Sequence, residues 1–163
     1  MPELFTVLTP TDALRKLFDH LRAVVPTETI DTVSALRRVL AETLVAASPL
    51  PSFARSTMDG YAVRAADTYG ATEALPAYLT VSGENPMGQA PSIEVGAGQA
   101  AIIHTGGMLP KGTDAVVMIE RTQTTTEHEI EVMRSVAPGE NVLQIGEDVK
   151  AGESLLPIGH WLR

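Results

Sequence analysis

The sequence predicts an α+β, β-rich fold, with a helical and extended first lobe built from two separated stretches and a small, strongly bent β-lobe. Three observations carry that reading. Apolar residues near the N-terminus recur at three- and four-residue spacing, the mark of a helix with one buried face. From Pro51 onward the chain changes to short apolar runs cut by glycine and proline, the punctuation of strands joined by tight turns. After Pro138 and Gly139 come Val142, Leu143, Ile145, Val149, Leu155 and Leu156, a segment too short to hold a core of its own. That segment is expected to run back beside the N-terminal helices. Residues 1–50 and 141–163 are therefore assigned to the first lobe, and residues 51–140 to the β-lobe.

The first helix is expected over residues 10–24. Thr9 suits the N-cap, Pro10 the first helical position and Asp12 the positive first turn. Ala13, Leu14, Leu17, Phe18, Leu21 and Val24 share one face, and Pro26 ends the run. Such a stripe is ordinarily core, and a dimer surface is the other use. Alternation over residues 29–33 reads as a short strand, after which Ser34 can cap a second helix carrying Leu36, Val39, Leu40 and Leu44. In the second lobe, strands are expected at residues 61–64, 78–82, 99–104, 115–120 and 129–135, with a helical turn over 65–69. No internal repeat is visible.

Composition narrows the function classes. The chain has 163 residues, 44% hydrophobic and 20% charged, enough for one core or two small lobes. It has no cysteine, which excludes disulfides and thiolate metal sites. No signal peptide or bilayer-length apolar run is present, so a soluble cytoplasmic protein without membrane contact is the expectation. The net charge is −8 and the 12 basic residues form no stripe, which argues against nucleic-acid binding.

The most informative segment is residues 51–63, which crowds hydroxyls, a carboxylate and a guanidinium between prolines and a turn. Pro49 and Pro51 impose extended geometry on the residues before them, and Asp59-Gly60 is a turn dipeptide. Taken by residue type, Asp59 can bind a metal, orient water or merely cap backbone N–H groups in an Asx-turn. A second constellation, Thr105-Gly106-Gly107, follows an apolar strand. Two glycines allow successive N–H groups to converge into a nest for a tetrahedral oxyanion, with the Thr105 hydroxyl as a further donor.

The run Ser56-Thr57-Met58-Asp59-Gly60-Tyr61-Ala62 resembles the signature of the molybdopterin molybdenumtransferases, the MoeA family that includes the E domain of gephyrin. Two more segments match that family in order: residues 103–118, reading IHTGGMLPKGTDAVVM, and residues 146–152, reading GEDVKAG. The resemblance spans essentially the whole chain but only the N-terminal portion of the family's architecture. The pterin-binding domain, with its Thr-Gly-Asp-Glu and Gly-Gly-x-Ser motifs, and the C-terminal β-barrel have no counterpart, so an isolated N-terminal region is expected, inactive by itself.

The resemblance implies that the parent protein inserts molybdate into adenylylated molybdopterin, releasing AMP with the help of Mg²⁺. It further implies an elongated homodimer, in which Asp59 and Thr105 supply half of an intersubunit cleft. Asp59 is expected to orient the metal or water, and Thr105 with Gly106 and Gly107 to hold the oxyanion. Ser56, Thr57 and Lys111 are secondary binding candidates, and Asp114, on the same turn as Lys111, is a candidate for a direct role. Arg55 is another, since Ala54-Arg55 stands where the family commonly carries an acidic pair and the guanidinium can attract an anion. A molybdopterin adenylyltransferase is a further possible partner. The alternative function is a non-catalytic dimerisation or scaffolding module, while no serine, histidine and carboxylate set has the spacing of a hydrolase. His104 is expected to be a structural strand-end residue, and the four histidines lack zinc-site spacing. One of Glu147 and Asp148 is expected to make a structural contact within the first lobe, to a backbone turn or an arginine.

Overall fold

A computed structural model describes residues 7–21 and 25–163. Their contacts divide into two compact units, Met1–Glu42 with Ile158–Arg163, and Thr43–Pro157. Among the described residues the architecture is mostly β with one α-helix.

In the first unit, helix α1 spans Pro10–His20 and begins as its sequence requires. The Thr9 Oγ1 accepts from the Asp12 N–H at 3.2 Å and donates to the Asp12 carboxylate at 2.6 Å. Thr9 thereby satisfies one of the first-turn donors that a helix leaves unpaired. The helix closes at Leu21, and Val24 lies outside the described residues. None of its residues is buried, so the core reading of the Leu14, Leu17 and Phe18 stripe is corrected.

The second helix expected after Ser34 does not form. Thr32–Ser34 is a single 3₁₀ turn, and Arg37 adopts a positive φ of 66° that a right-handed helix excludes. Residues 37–40 instead pair with 159–162. The Arg37 N–H donates to the Leu162 carbonyl and the Leu162 N–H to the Arg38 carbonyl, while Leu40 and His160 continue the pairing. Non-local hydrogen bonds thus override a helical pattern worth only tenths of a kcal/mol per residue, as is common for weak intrinsic propensities. The strand expected at 29–33 has no ladder partner among the described residues.

The second unit contains ten strands: β1 (Leu44–Val45), β2 (Arg55–Ser56), β3 (Gly60–Val63), β4 (Ala77–Glu84), β5 (Gln99–Ile103), β6 (Ala115–Met118), β7 (Thr122–Thr126), β8 (Glu129–Val132), β9 (Val142–Leu143) and β10 (Ser154–Leu156). Six form a curled half-barrel sheet in the order β6-β3-β5-β4-β8-β7. Only β4 and β5 run parallel within it. The turn expected near residue 65 is a 3₁₀ helix over Ala65–Thr68.

β3 is buried along its whole length, and the two-residue side-chain period sends its residues to opposite faces. Tyr61 and Val63 join Leu79, Val117, Ile130 and Val132 in one apolar cluster. Ala62 joins Ile103, Val116 and Val142 in another, against which Ala54 and Leu109 pack. The second cluster is what seats the polar loop segments on the sheet. Truncating a wholly buried residue such as Ile103 to alanine would cost about 2–5 kcal/mol.

The segment from 141 behaves differently from the expected return to the N-terminal helices. β9 pairs with β2, Val149 bridges Leu50, and β10 pairs with β1, all inside the second unit. The return to the first unit begins at Ile158. Glu147 does serve a backbone turn, accepting from the Gln144 N–H at 2.7 Å.

Gly60 is required by steric crowding rather than by a turn. A Cβ there would stand 2.0 Å from the Val117 carbonyl oxygen. Gly60→Ala is expected to cost about 4 kcal/mol, the range of severe core substitutions. At Gly70, where φ is 83° and nothing lies within 4 Å, alanine should cost about 1 kcal/mol from backbone conformation alone. Thermal melts of the two variants test the contrast, and equal losses would reject the crowding argument.

Candidate functional site

Two segments remote along the chain are laced together by backbone hydrogen bonds. The Ser56 N–H donates to the Gly107 carbonyl, the Gly106 N–H to the Ser56 carbonyl, and the Leu109 N–H to the Ala54 carbonyl. Arg55 bridges Met108 on this side and pairs with Leu143 of β9 on the other. Asn85, just past β4, donates its side-chain N–H to the Met108 carbonyl at 2.6 Å. The two loop segments are therefore hydrogen-bonded into one patch at the ends of β3 and β5.

This lacing delivers Asp59 to Thr105. The Asp59 Oδ1 accepts the Thr105 N–H at 2.7 Å and the Thr105 Oγ1–H at 3.0 Å. The carboxylate serves a residue 46 positions away, so the local Asx-turn reading does not hold. Both bonds land on one oxygen, and among the described residues Oδ2 carries no hydrogen bond. The N–H bond from Thr105, its hydroxyl bond and the nearby His104 ring hold the Asp59 carboxyl below the ordinary value of 3.8. Asp59 is consequently ionised at neutral pH and acts as a fixed acceptor rather than a proton donor.

The oxyanion nest expected at Thr105-Gly106-Gly107 needs correction. Its three N–H groups already donate to Asp59, to the Ser56 carbonyl and to the His104 carbonyl. The Thr105 hydroxyl also faces Asp59. Gly107 is nevertheless indispensable as glycine, because a Cβ would stand 2.8 Å from the His104 carbonyl oxygen.

The remaining candidates separate. Ser56 is buried, and its hydroxyl donates to the Met58 carbonyl and accepts the Met58 N–H at 3.2 Å, so it closes the turn. Thr57 is exposed, with its N–H donating to the Asn141 carbonyl. Arg55 is half-buried and has no acidic partner within ion-pair reach among the described residues. Lys111 is not brought to Asp59. It pairs with Glu94 at 3.2 Å and borders a concavity of about 490 Å³ that neither Asp59 nor Thr105 lines. Asp114 is structural, accepting the Ala65 N–H at 2.7 Å.

Two residues join the site without any sequence signal. Glu84 meets the His104 Nε2 at 2.9 Å, and Asn85 fastens the loop from behind. Both sit at the end of β4, about twenty residues from their partners, where spacing says nothing.

No group of three or more histidine, aspartate or glutamate side chains suited to a metal occurs among the described residues. One ionised carboxylate with an available Oδ2 still fits Mg²⁺, which keeps several waters and leans on substrate phosphates. No helix among the described residues is long and apolar enough to cross a membrane.

Comparison with known proteins points one way. Residues 8–163 match the family model described as the MoeA N-terminal region, domains I and II. A molybdopterin molybdenumtransferase of Bacillus subtilis is 37% identical over 136 residues, covering 82% of this chain and 32% of that protein. One from a Nostoc species is 34% identical over 141 residues, with 82% and 32% covered. The crystal structure of a molybdopterin biosynthesis moeA protein from Pyrococcus horikoshii OT3 superposes with a TM-score of 0.87 at 42% identity, covering 94% of this chain and 40% of that one. The chain thus spans about a third of the length of the curated relatives it matches.

The Asp59 link carries a pH signature. A depressed carboxyl contributes stability that is complete above the unfolded value of 3.8 and is lost as pH falls through the lowered folded value. Carboxyl NMR should find Asp59 titrating below 3.8, and Thr105→Ala should move it only partway back, since the larger N–H contribution survives. An Asp59 carboxyl titrating at or above 3.8 would contradict the geometry. Ser56→Ala should cost about 1 kcal/mol by denaturant melts, the worth of its turn hydrogen bonds.

Proposed function

The chain belongs to the family of MoeA N-terminal regions, and from that premise we propose that the protein carrying it inserts molybdate into adenylylated molybdopterin during molybdenum cofactor biosynthesis. The observation that carries the reading is the junction of Asp59 and Thr105, two residues far apart in sequence that share two hydrogen bonds at an exposed surface. Supporting it are the names of relatives above 30% identity, which are molybdopterin molybdenumtransferases.

In this proposal the two dithiolene sulfurs form Mo–S bonds as two molybdate oxygens leave as water, and one water cleaves the phosphoanhydride to release AMP. Two anionic reactants must be brought together beside a chain of net charge −8, so positioning and local charge compensation dominate the barrier. Asp59, locked in place and ionised, offers Oδ2 to a water or to the hydration shell of Mg²⁺. Mg²⁺ would supply charge neutralisation on the phosphates. Thr105 orients Asp59, and the interlaced loops prevent the pair from relaxing apart. Arg55 and Thr57 remain candidate anion contacts, whereas Ser56 supports the turn.

The exposed position of Asp59 supports a cleft completed by the pterin-binding domain of a second subunit. Helix α1 supports a homodimer, because Leu14, Leu17 and Phe18 are all more than half exposed. A molybdopterin adenylyltransferase, as the source of the adenylylated substrate, is a proposed transient partner, and the cytoplasm the proposed setting. The same apolar helix face favours a second reading, in which the chain is a dimerisation or scaffolding module.

Asp59→Ala in the protein that carries this chain should abolish molybdate-dependent AMP release in a variant that still folds, its melting transition lowered only by the loss of the two Thr105 hydrogen bonds. Unchanged turnover would remove the assignment. Leu17→Lys with Phe18→Lys should shift sedimentation from dimer to monomer, and an unaltered sedimentation coefficient would reject α1 as the contact.

A further inference from the structure

Three neighbouring strand ends place a row of ionisable side chains along one edge of the sheet. Gly60 of β3 pairs with Ile103 of β5, so Asp59 and His104 are the next residues in register at that edge. β4 is the other neighbour of β5, and it ends in Glu84. The His104 Nε2 lies 2.9 Å from the Glu84 Oε1, with side chains 40% and 56% exposed. The order across the edge is thus carboxylate, imidazole, carboxylate.

The proposed chemistry leaves an electrostatic gap that this row can fill. An oxyanion approaching Asp59 meets a fixed negative charge, and the Thr105, Gly106 and Gly107 N–H groups have no donor capacity left for it. Lys111 is engaged with Glu94 beside a different concavity. His104, adjoining Thr105, is a side chain able to carry a positive charge whose backbone position is set by the site itself.

Resting on the function proposed above, we propose that His104, oriented by Glu84, is the contact that draws a tetrahedral oxyanion to the Asp59–Thr105 site. A charged imidazole donates from both nitrogens, so holding Nε2 against Glu84 leaves Nδ1–H to bind the ligand. The carboxylate fixes the ring plane, as such partners do for functional histidines. The bond to the ligand is then charge-assisted and directional. Glu84 is a positioning residue. The ligand is either molybdate itself or the phosphate of the adenylylated pterin, which share this chemistry.

Steady-state molybdate insertion by the protein that carries the chain tests the proposal, with molybdate and adenylylated molybdopterin varied separately. H104Q should raise the KM of one of the two anions by about tenfold, the size of one charge-assisted hydrogen bond, with kcat within about twofold. The anion whose KM rises identifies the ligand. H104K, which restores the charge, should recover most of the loss, and E84Q should shift the same KM by a smaller factor. Unchanged KM values in H104Q, or a fall in kcat alone that H104K does not repair, would overturn the role. Melting transitions identify any unfolded variant, and if H104Q is one, the H104K and E84Q arms decide alone. D59A separates the two failures: a dead D59A beside a normal H104Q rejects His104 only, whereas an active D59A removes the site reading.

Discussion

Everything at the site depends on the backbone lacing between residues 54–57 and 106–109. Three main-chain hydrogen bonds fasten these stretches, and Ala54 and Leu109 also bury against the cluster around Ile103 and Val116. Each hydrogen bond contributes only about 1 kcal/mol net, but together with the apolar contacts they tie the two stretches to each other and to the sheet. The short Asp59–Thr105 contacts follow as a result. A carboxylate presented on an unsupported loop would spend its time hydrogen-bonded to water, and its acidity would not be displaced.

The placement of charge has the same logic. Under the proposed function, an acidic chain that meets anionic reactants gains nothing from a long-range field and must work through a few short contacts. The carboxylate at its centre is tuned by donors instead of by burial, which keeps it both ionised and open to solvent. Near the interlaced loops lie Arg55, which has no acidic partner within ion-pair reach among the described residues, and His104, whose ring is held by Glu84.

Much of this was legible before any coordinates, for reasons that differ by element. α1 declares itself through Thr9, Pro10 and Asp12, because capping is a local matter of donors and acceptors. The core strands β3, β5, β6 and β8 show as apolar runs between glycines and prolines. β7 was invisible because Thr122–Thr126 is a polar edge strand that needs no apolar face. The second helix failed because residues 37–40 find partners at 159–162, a choice that no local window contains. Asp59 and Thr105 were visible as motif residues, yet the occupied donors of Gly106 and Gly107 and the reach of Glu84 to His104 required the fold.

The sheet order has a consequence for how the chain is made. β3 lies between β5 and β6, strands that leave the ribosome some forty to fifty-five residues after it, and β4 reaches its parallel neighbour β5 by a long crossover. Pairings of such sequence separation are slow because chain closure must precede any reward. During synthesis β3 therefore waits without a strand neighbour until β5 has emerged through Ile103 and gains its second only with the stretch through Met118, so the Asp59–Thr105 corner is assembled late in the translation of this segment.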